Sequence, residues 1–258
     1  MIFNYKDIPV FYSDEGQGEV VLLLHGFLEN SSMWNGLAPE LSKAHRVITM
    51  DLLGHGQTGC LGYIHSMELM AEVVEAVLDC LKIITFTVIG HSMGGYVALA
   101  LAENTSKNIH GLCLMNSTAQ PDSDERKANR DRAIAAVKQN HRAFVSMSVF
   151  NLFASDNRVL LAKEIEHTKQ EALKTPLQGI IAALEGMKIR KDRTQLLYQS
   201  TFNKLLIIGK KDPVLDYQVL LNHAEETGVE IIEFSDGHMS HIEKKKELSY
   251  IIKHFIEK

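Results

Sequence analysis

Cysteine is scarce in this chain: Cys60, Cys80 and Cys113 are the three in 258 residues, with no CxxC spacing. Such a sparse, odd set excludes both a disulfide framework and a zinc-ligand pattern. Cys113 lies within the apolar run Leu112–Met115 and reads as a buried thiol. Long hydrophobic runs are missing too. No stretch approaches the roughly 20 apolar residues that span a bilayer. The first residues, Met-Ile-Phe-Asn-Tyr-Lys, show no basic segment followed by an apolar one, so no signal peptide is expected and a cytoplasmic location is. Charge of one sign does not dominate: 27 basic and 32 acidic residues leave a net −5. That balance gives no electrostatic reason to expect nucleic acid or an anionic membrane surface as partner. The densest basic run, Lys244–Lys246, is flanked by Glu243 and Glu247 and reads as a solvated helix face. There is no internal repeat, no low-complexity tract and no Pro/Gly-rich linker.

What is present is an ordinary globular composition, 45% hydrophobic and 23% charged, in a chain long enough for one large α/β domain. Apolar runs at Ile2–Tyr5, Ile8–Tyr12, Val20–Leu24, Val47–Met50, Phe86–Ile89 and Leu112–Met115 read as strands, as do Leu205–Ile208 and Val229–Phe234. Helical spacing appears over Ser32–Ala44, Ser66–Leu81, Ser92–Glu103, Tyr217–Glu226 and Glu247–Ile256, with Ser66 as an N-cap. Strand–helix alternation implies a mostly parallel sheet with helices on both faces. The alternation stops between Asp122 and Ser200, where apolar residues fall only at helical spacing and Pro176 begins or separates a helix. The expected organisation is a core of residues 1–118 and 201–258, with an all-helical insertion, 119–200, between strands six and seven.

Chemistry concentrates in Gly90-His91-Ser92-Met93-Gly94-Gly95, set between a buried strand and a helix. A nucleophilic serine must project above a sheet, which demands a sharp, strained turn that flanking glycines relieve. The bare GxSxG pattern arises by chance about 0.07 times per chain of this composition, so the flanking strand and helix give it its weight. A second motif, His25-Gly26-Phe27-Leu28, follows the strand Val20–Leu24 directly. Together these stretches closely resemble the α/β-hydrolase superfamily, and the resemblance extends over nearly the whole chain except the helical insertion.

The resemblance implies an eight-stranded α/β-hydrolase fold, with the insertion 119–200 as a lid, and assigns roles. Ser92 would be the nucleophile. The backbone N–H groups of Phe27 and Met93 would form an oxyanion hole. The family's order of serine, acid, histidine places the acid at Asp212, within Gly209-Lys210-Lys211-Asp212 after the strand Leu205–Ile208. Asp216, the rival, reads as a helix N-cap. The end of the sixth strand, Met115-Asn116-Ser117, offers no carboxylate. His238, in Gly237-His238 with Glu243 following, would be the base. Leu28 and Met239 flank these positions and are candidate pocket residues. His25 is expected to bond backbone, and Asp51 in Asp51-Leu52-Leu53-Gly54-His55-Gly56 to be structural. His241 is expected to be structural or to contact the base from behind. His45, His110, His167 and His223 lie on surface-like segments. In the lid, Phe144, Met147, Phe150, Leu152 and Phe153 suit either lid core or an acyl-binding surface.

The function implied is hydrolysis of carboxylic esters with small or medium acyl groups through an acyl-enzyme, with no metal or organic cofactor. Haloalkane dehalogenases and epoxide hydrolases, which need aspartate at the elbow, are excluded by Ser92. Thioesterases, lactonases, C–C bond hydrolases and perhydrolases of this fold remain open. So does a lyase resembling the menaquinone-pathway SHCHC synthase, which would need lid arginines turned inward. Arg126, Arg130, Arg132, Arg142 and Arg158 are available, though solvent exposure is the expected fate of such residues. A ligand-binding signalling receptor of the fold is a further alternative.

Overall fold

A computed structural model describes residues 1–258 and arranges all eight strand segments in one sheet. The strands are β1 (Ile2–Tyr5), β2 (Ile8–Glu15), β3 (Val20–Leu24), β4 (Arg46–Met50), β5 (Thr85–His91), β6 (Asn108–Met115), β7 (Asn203–Gly209) and β8 (Glu230–Phe234). Their order is β1-β2-β4-β3-β5-β6-β7-β8. The β1–β2 and β2–β4 pairs are antiparallel and every other pair is parallel. The central strands are buried along both faces, which explains their unbroken apolar runs. Alternate residues serve opposite sides. Leu22, Leu24, Val88 and Leu112 face one core, while Val21, Leu23, Ile89 and Cys113 face the other. Each such fully buried leucine or valine contributes about 1.5–3 kcal/mol.

Helices α1 (Ala38–Leu41), α2 (Met67–Cys80) and α3 (Met93–Asn104) fall among the first six strands. The Ser66 hydroxyl accepts from the Leu69 N–H and caps α2 as expected. The continuous helix expected over Ser32–Ala44 does not form. Ser31–Gly36 is a 3-10 turn, and only Ala38–Leu41 is α-helical. Pro39 is the reason: lacking an N–H, it tolerates a helix start but not an interior. Five helices then run between β6 and β7: α4 (Asp124–Gln139), α5 (His141–Phe150), α6 (Ala162–Ala172), α7 (Leu177–Lys188) and α8 (Thr194–Gln199). Pro176 is the N-cap of α7. The chain ends with α9 (Tyr217–Thr227), α10 (Ser240–Glu243) and α11 (Lys245–Ile256). Asp216 caps α9 by accepting from the Val219 N–H. No helix is long and apolar enough to cross a membrane.

Two surface assignments need correction. His45 and His223 are buried. Both lie on segments whose polar residues mask an inward-facing position. Within the insertion, Phe153 is fully buried, whereas Met147 is 66% exposed and belongs to neither core nor cavity.

Candidate active site

The parallel strands β3, β5, β6 and β7 all point their carboxyl ends to one edge, and the loops there carry the motifs. Ser92 joins β5 to α3 with φ 49° and ψ −113°, a left-sided conformation that a residue with a side chain rarely adopts. The turn is held from behind: the Ser92 N–H donates to the Met115 carbonyl at 2.9 Å, and the Ser117 hydroxyl to the Ser92 carbonyl at 2.7 Å. Glycine is obligatory at 94, because a Cβ there would run into the carbonyls of Leu24 and His25. That close approach brings the elbow against the loop after β3.

Ser92, His238 and Asp212 meet above this edge. His238 Nε2 lies 2.9 Å from Ser92 Oγ, and His238 Nδ1 lies 2.7 Å from Asp212 Oδ2. A carboxylate only accepts, so Nδ1 carries the proton and Nε2 is left to accept from the serine hydroxyl. Asp212 Oδ1 accepts from the N–H groups of Val214 (2.8 Å) and Leu215 (3.0 Å). Burial pushes the Asp212 carboxyl up, but His238 and these two donors outweigh it and hold the group below its ordinary value. The sequence reading passed over Asn116 because it is no carboxylate. Asn116, at φ 46°, donates to Asp212 Oδ2 (3.1 Å) and to the Gly237 carbonyl (3.2 Å), and accepts from the Ser240 hydroxyl at 2.7 Å. It therefore ties the acid loop to the histidine loop. Its position at the carboxyl end of β6 was the available signal.

The loop Gly26–Glu29 faces the elbow. The Phe27 N–H, in a turn, donates to no protein acceptor. The Met93 N–H opens α3 and has no carbonyl one turn back within the helix. Beneath them lies a buried trio. Glu29 Oε2 accepts from the Gly26 N–H (2.8 Å) and pairs with His91 Nδ1 (2.6 Å), while His91 Nε2 reaches the His238 carbonyl at 3.0 Å. An ionised Glu29 and the His238 carbonyl both accept, which favours the doubly protonated His91 ring. Burial opposes that charge, yet Glu29 raises His91 above the ordinary histidine value. Glu29 is itself driven down to about 2, the neighbouring histidines overcoming the cost of burial. His241 Nε2 lies 3.5 Å from Glu29 Oε1, and burial lowers that imidazole to about 4. Glu29, His91 and His241 bring three potential metal donors within 4.8 Å of one another. With both ring nitrogens of His91 engaged, the arrangement works as a hydrogen-bonded ion pair. The sequence offered His91 only as the variable position before Ser92 in the elbow motif, and Glu29 only as the residue after His25–Leu28.

A family model described as alpha/beta hydrolase fold matches residues 19–245. This chain belongs to the α/β-hydrolase family. Among curated relatives, uncharacterized proteins of Mycobacterium tuberculosis are 36% identical over 102 residues, 40% of this chain and 30% of theirs. The chain thus spans under a third of those relatives' length. The 3-oxoadipate enol-lactonase 1 of Acinetobacter baylyi is 27% identical, covering 98% of this chain and 94% of its own. Among solved structures, a thermophilic esterase from Thermogutta terrifontis superposes with a TM-score of 0.91 at 29% identity, over 97% of this chain and 93% of that one.

In this α/β hydrolase, a cavity of about 390 Å³ opens at Ser92 and His238. Phe27 and Leu28 line it, as do Leu152 from the insertion and Leu184 and Met187 from α7. Met239 does not. It is fully buried in the core and is not part of the cavity lining, which corrects the expectation that it contacts ligand. The reason is local: Met239 caps α10, and its N–H is drawn to Glu243. Of the five arginines considered from the sequence, Arg126 and Arg130 line the cavity, contrary to the expected exposure; Arg132, Arg142 and Arg158 do not. His25 bonds backbone as expected, with Nε2 accepting from the Leu52 N–H at 2.8 Å. Asp51 accepts from the Ser31 and Gln57 N–H groups, a structural duty also as expected. Glu243 joins the histidine loop to the insertion. Oε1 accepts from the Gly237 N–H (3.1 Å) and Oε2 from the Ala154 N–H (3.2 Å) and Asn157 Nδ2 (2.7 Å). The His238 N–H donates to the Leu152 carbonyl at 2.9 Å.

Proposed function

We propose that this protein is a carboxylic ester hydrolase that works through an acyl-enzyme on small or medium acyl substrates. The observation that carries the reading is the hydrogen-bonded chain from Ser92 Oγ through His238 to Asp212. His238 Nε2 takes the serine proton as Oγ attacks the ester carbonyl, and Asp212 stabilises the imidazolium that forms. The N–H groups of Phe27 and Met93 receive the oxyanion. His238 then protonates the leaving alcohol, and a water activated by the same imidazole releases the acid. Residues 119–200 act as the cap over a core made of 1–118 and 201–258. The esterase and lactonase names among the relatives support acyl transfer to water as the reaction class.

The test is an ester panel run on wild type beside Ser92→Ala. Turnover in the variant is expected to fall at least about 1000-fold. An organophosphonate probe is expected to label Ser92, read by peptide mass. Near-full activity in the variant, or labelling at another serine, would remove the mechanism.

A further inference from the structure

Beside Ser92 the insertion gathers more positive charge than it neutralises. Asp122, its side chain fully buried, pairs with three guanidiniums: Arg126 at 3.2 Å, Arg190 at 2.5 Å, and Arg130. Burial pushes the Asp122 carboxyl up, but Arg130 and Arg190 hold it below its ordinary value, so it supplies one negative charge. Arg190 is buried, stacked on the Tyr96 ring at 4.2 Å, and balances that charge alone. Arg126 and Arg130 are therefore in excess. They stand one turn apart on α4, so their side chains share a face. Both line the cavity that holds Ser92 and His238, and no aspartate or glutamate lines it with them. Neither is fully engaged. Arg126 donates through Nε to Asp122 and through Nη1 to the Val214 carbonyl, leaving Nη2 without a protein partner. Arg130 donates through Nε and Nη2 to Asp122, leaving Nη1 without one. The other lining includes Leu152, Leu184, Met187 and Val214, an apolar surface beside the paired guanidiniums.

We propose that Arg126 and Arg130 form an anion subsite, and that the ester this cavity takes carries a carboxylate beyond an apolar linker. Planar guanidiniums with unused N–H groups suit a carboxylate, and an apolar wall suits the methylenes that would join it to the scissile bond. Which half of the ester bears the anion, acyl or alcohol, is for experiment to decide. The reaction at the linker's other end rests on the ester-hydrolase reading; the anion subsite does not.

Binding isolates the subsite from the chemistry. In Ser92→Ala protein, calorimetry compares monomethyl adipate with methyl hexanoate, and acetoxyvalerate with pentyl acetate. Each pair differs by a terminal carboxylate in place of methyl. The carboxylate is expected to bind about tenfold tighter or better in one of the two pairs, and that pair names the half of the ester concerned. Adding R126Q and R130Q together is expected to bring the preference near unity, while R126K with R130K keeps several-fold of it. Retention by the lysine variant separates lost charge from a damaged fold. Equal binding within both pairs, no binding of any of the four, or a preference untouched by R126Q/R130Q overturns the subsite. Separately, wild type that discriminates in binding yet hydrolyses neither monomethyl adipate nor acetoxyvalerate would overturn the ester reading and leave the subsite standing.

Discussion

His91 is held in its charged form, because a carboxylate on one side and a carbonyl on the other both accept from its ring. The Glu29–His91 pair thus links the Gly26–Glu29 loop to the loop bearing His238 through one buried charge pair. Removing one partner strands the other, so Glu29→Gln is expected to cost about 3–5 kcal/mol in urea denaturation. The pH dependence has a definite sign. Glu29 falls from 4.5 to about 2 on folding, so its contribution is present above pH 4.5 and lost as pH falls toward 2. His91 rises above 6.5, so its contribution is present below pH 6.5 and lost as pH climbs through the folded value. His25 and His241 face the same carboxylate and deepen its depression. The stability gap between wild type and Glu29→Gln is accordingly expected to be widest between pH 4.5 and 6.5, measured as melting temperature against pH. Asn116 offers a second residue-scale prediction. Asn116→Ala removes a donor from Asp212 and is expected to lower kcat about tenfold with KM little changed, in ester kinetics. Motif reading located Ser92, Asp212 and His238, because a motif records residues that must sit at a fixed offset from a turn. It passed over Asn116, Glu29 and His91, whose significance lies in partners 96, 62 and 147 residues away.

At the scale of elements, every strand was legible: the central parallel ones because a doubly buried strand has to be apolar throughout, and β1, β2 and the edge strand β8 as short runs rich in β-branched and aromatic residues. Hydrophobic spacing alone predicts a helix over Ser32–Ala44, but Pro39 confines the α-helix to Ala38–Leu41. The insertion was legible as helical but not in its facing. Met147 and Leu152 belong to the same apolar cluster in sequence, yet one is exposed and the other meets the cavity. The contact that seats α7 was likewise hidden. Gly186 packs so closely that a Cβ would collide with the His65 carbonyl. Gly186→Ala is expected to cost about 1–3 kcal/mol and to raise amide hydrogen exchange along α7, whereas a loosely seated helix would show neither.

For the molecule as a whole, the meeting of core and insertion at Glu243 has the widest reach. One carboxylate receives donors from Gly237 and Met239 on one side and from Ala154 and Asn157 on the other. Glu243→Gln turns one of its two accepting atoms into a donor facing donors. It is expected to lower kcat/KM by up to about 100-fold through displacement of His238. Exchange is expected to rise together in residues 152–157 and 236–240; a rise in one stretch alone would show them uncoupled. The same stitch limits how the protein admits its ligand. Peeling the helical canopy away from this side would drag His238 out of register with Ser92. On the proposed mechanism, any posture wide enough to dislodge the stitched side is one in which the serine has lost its base.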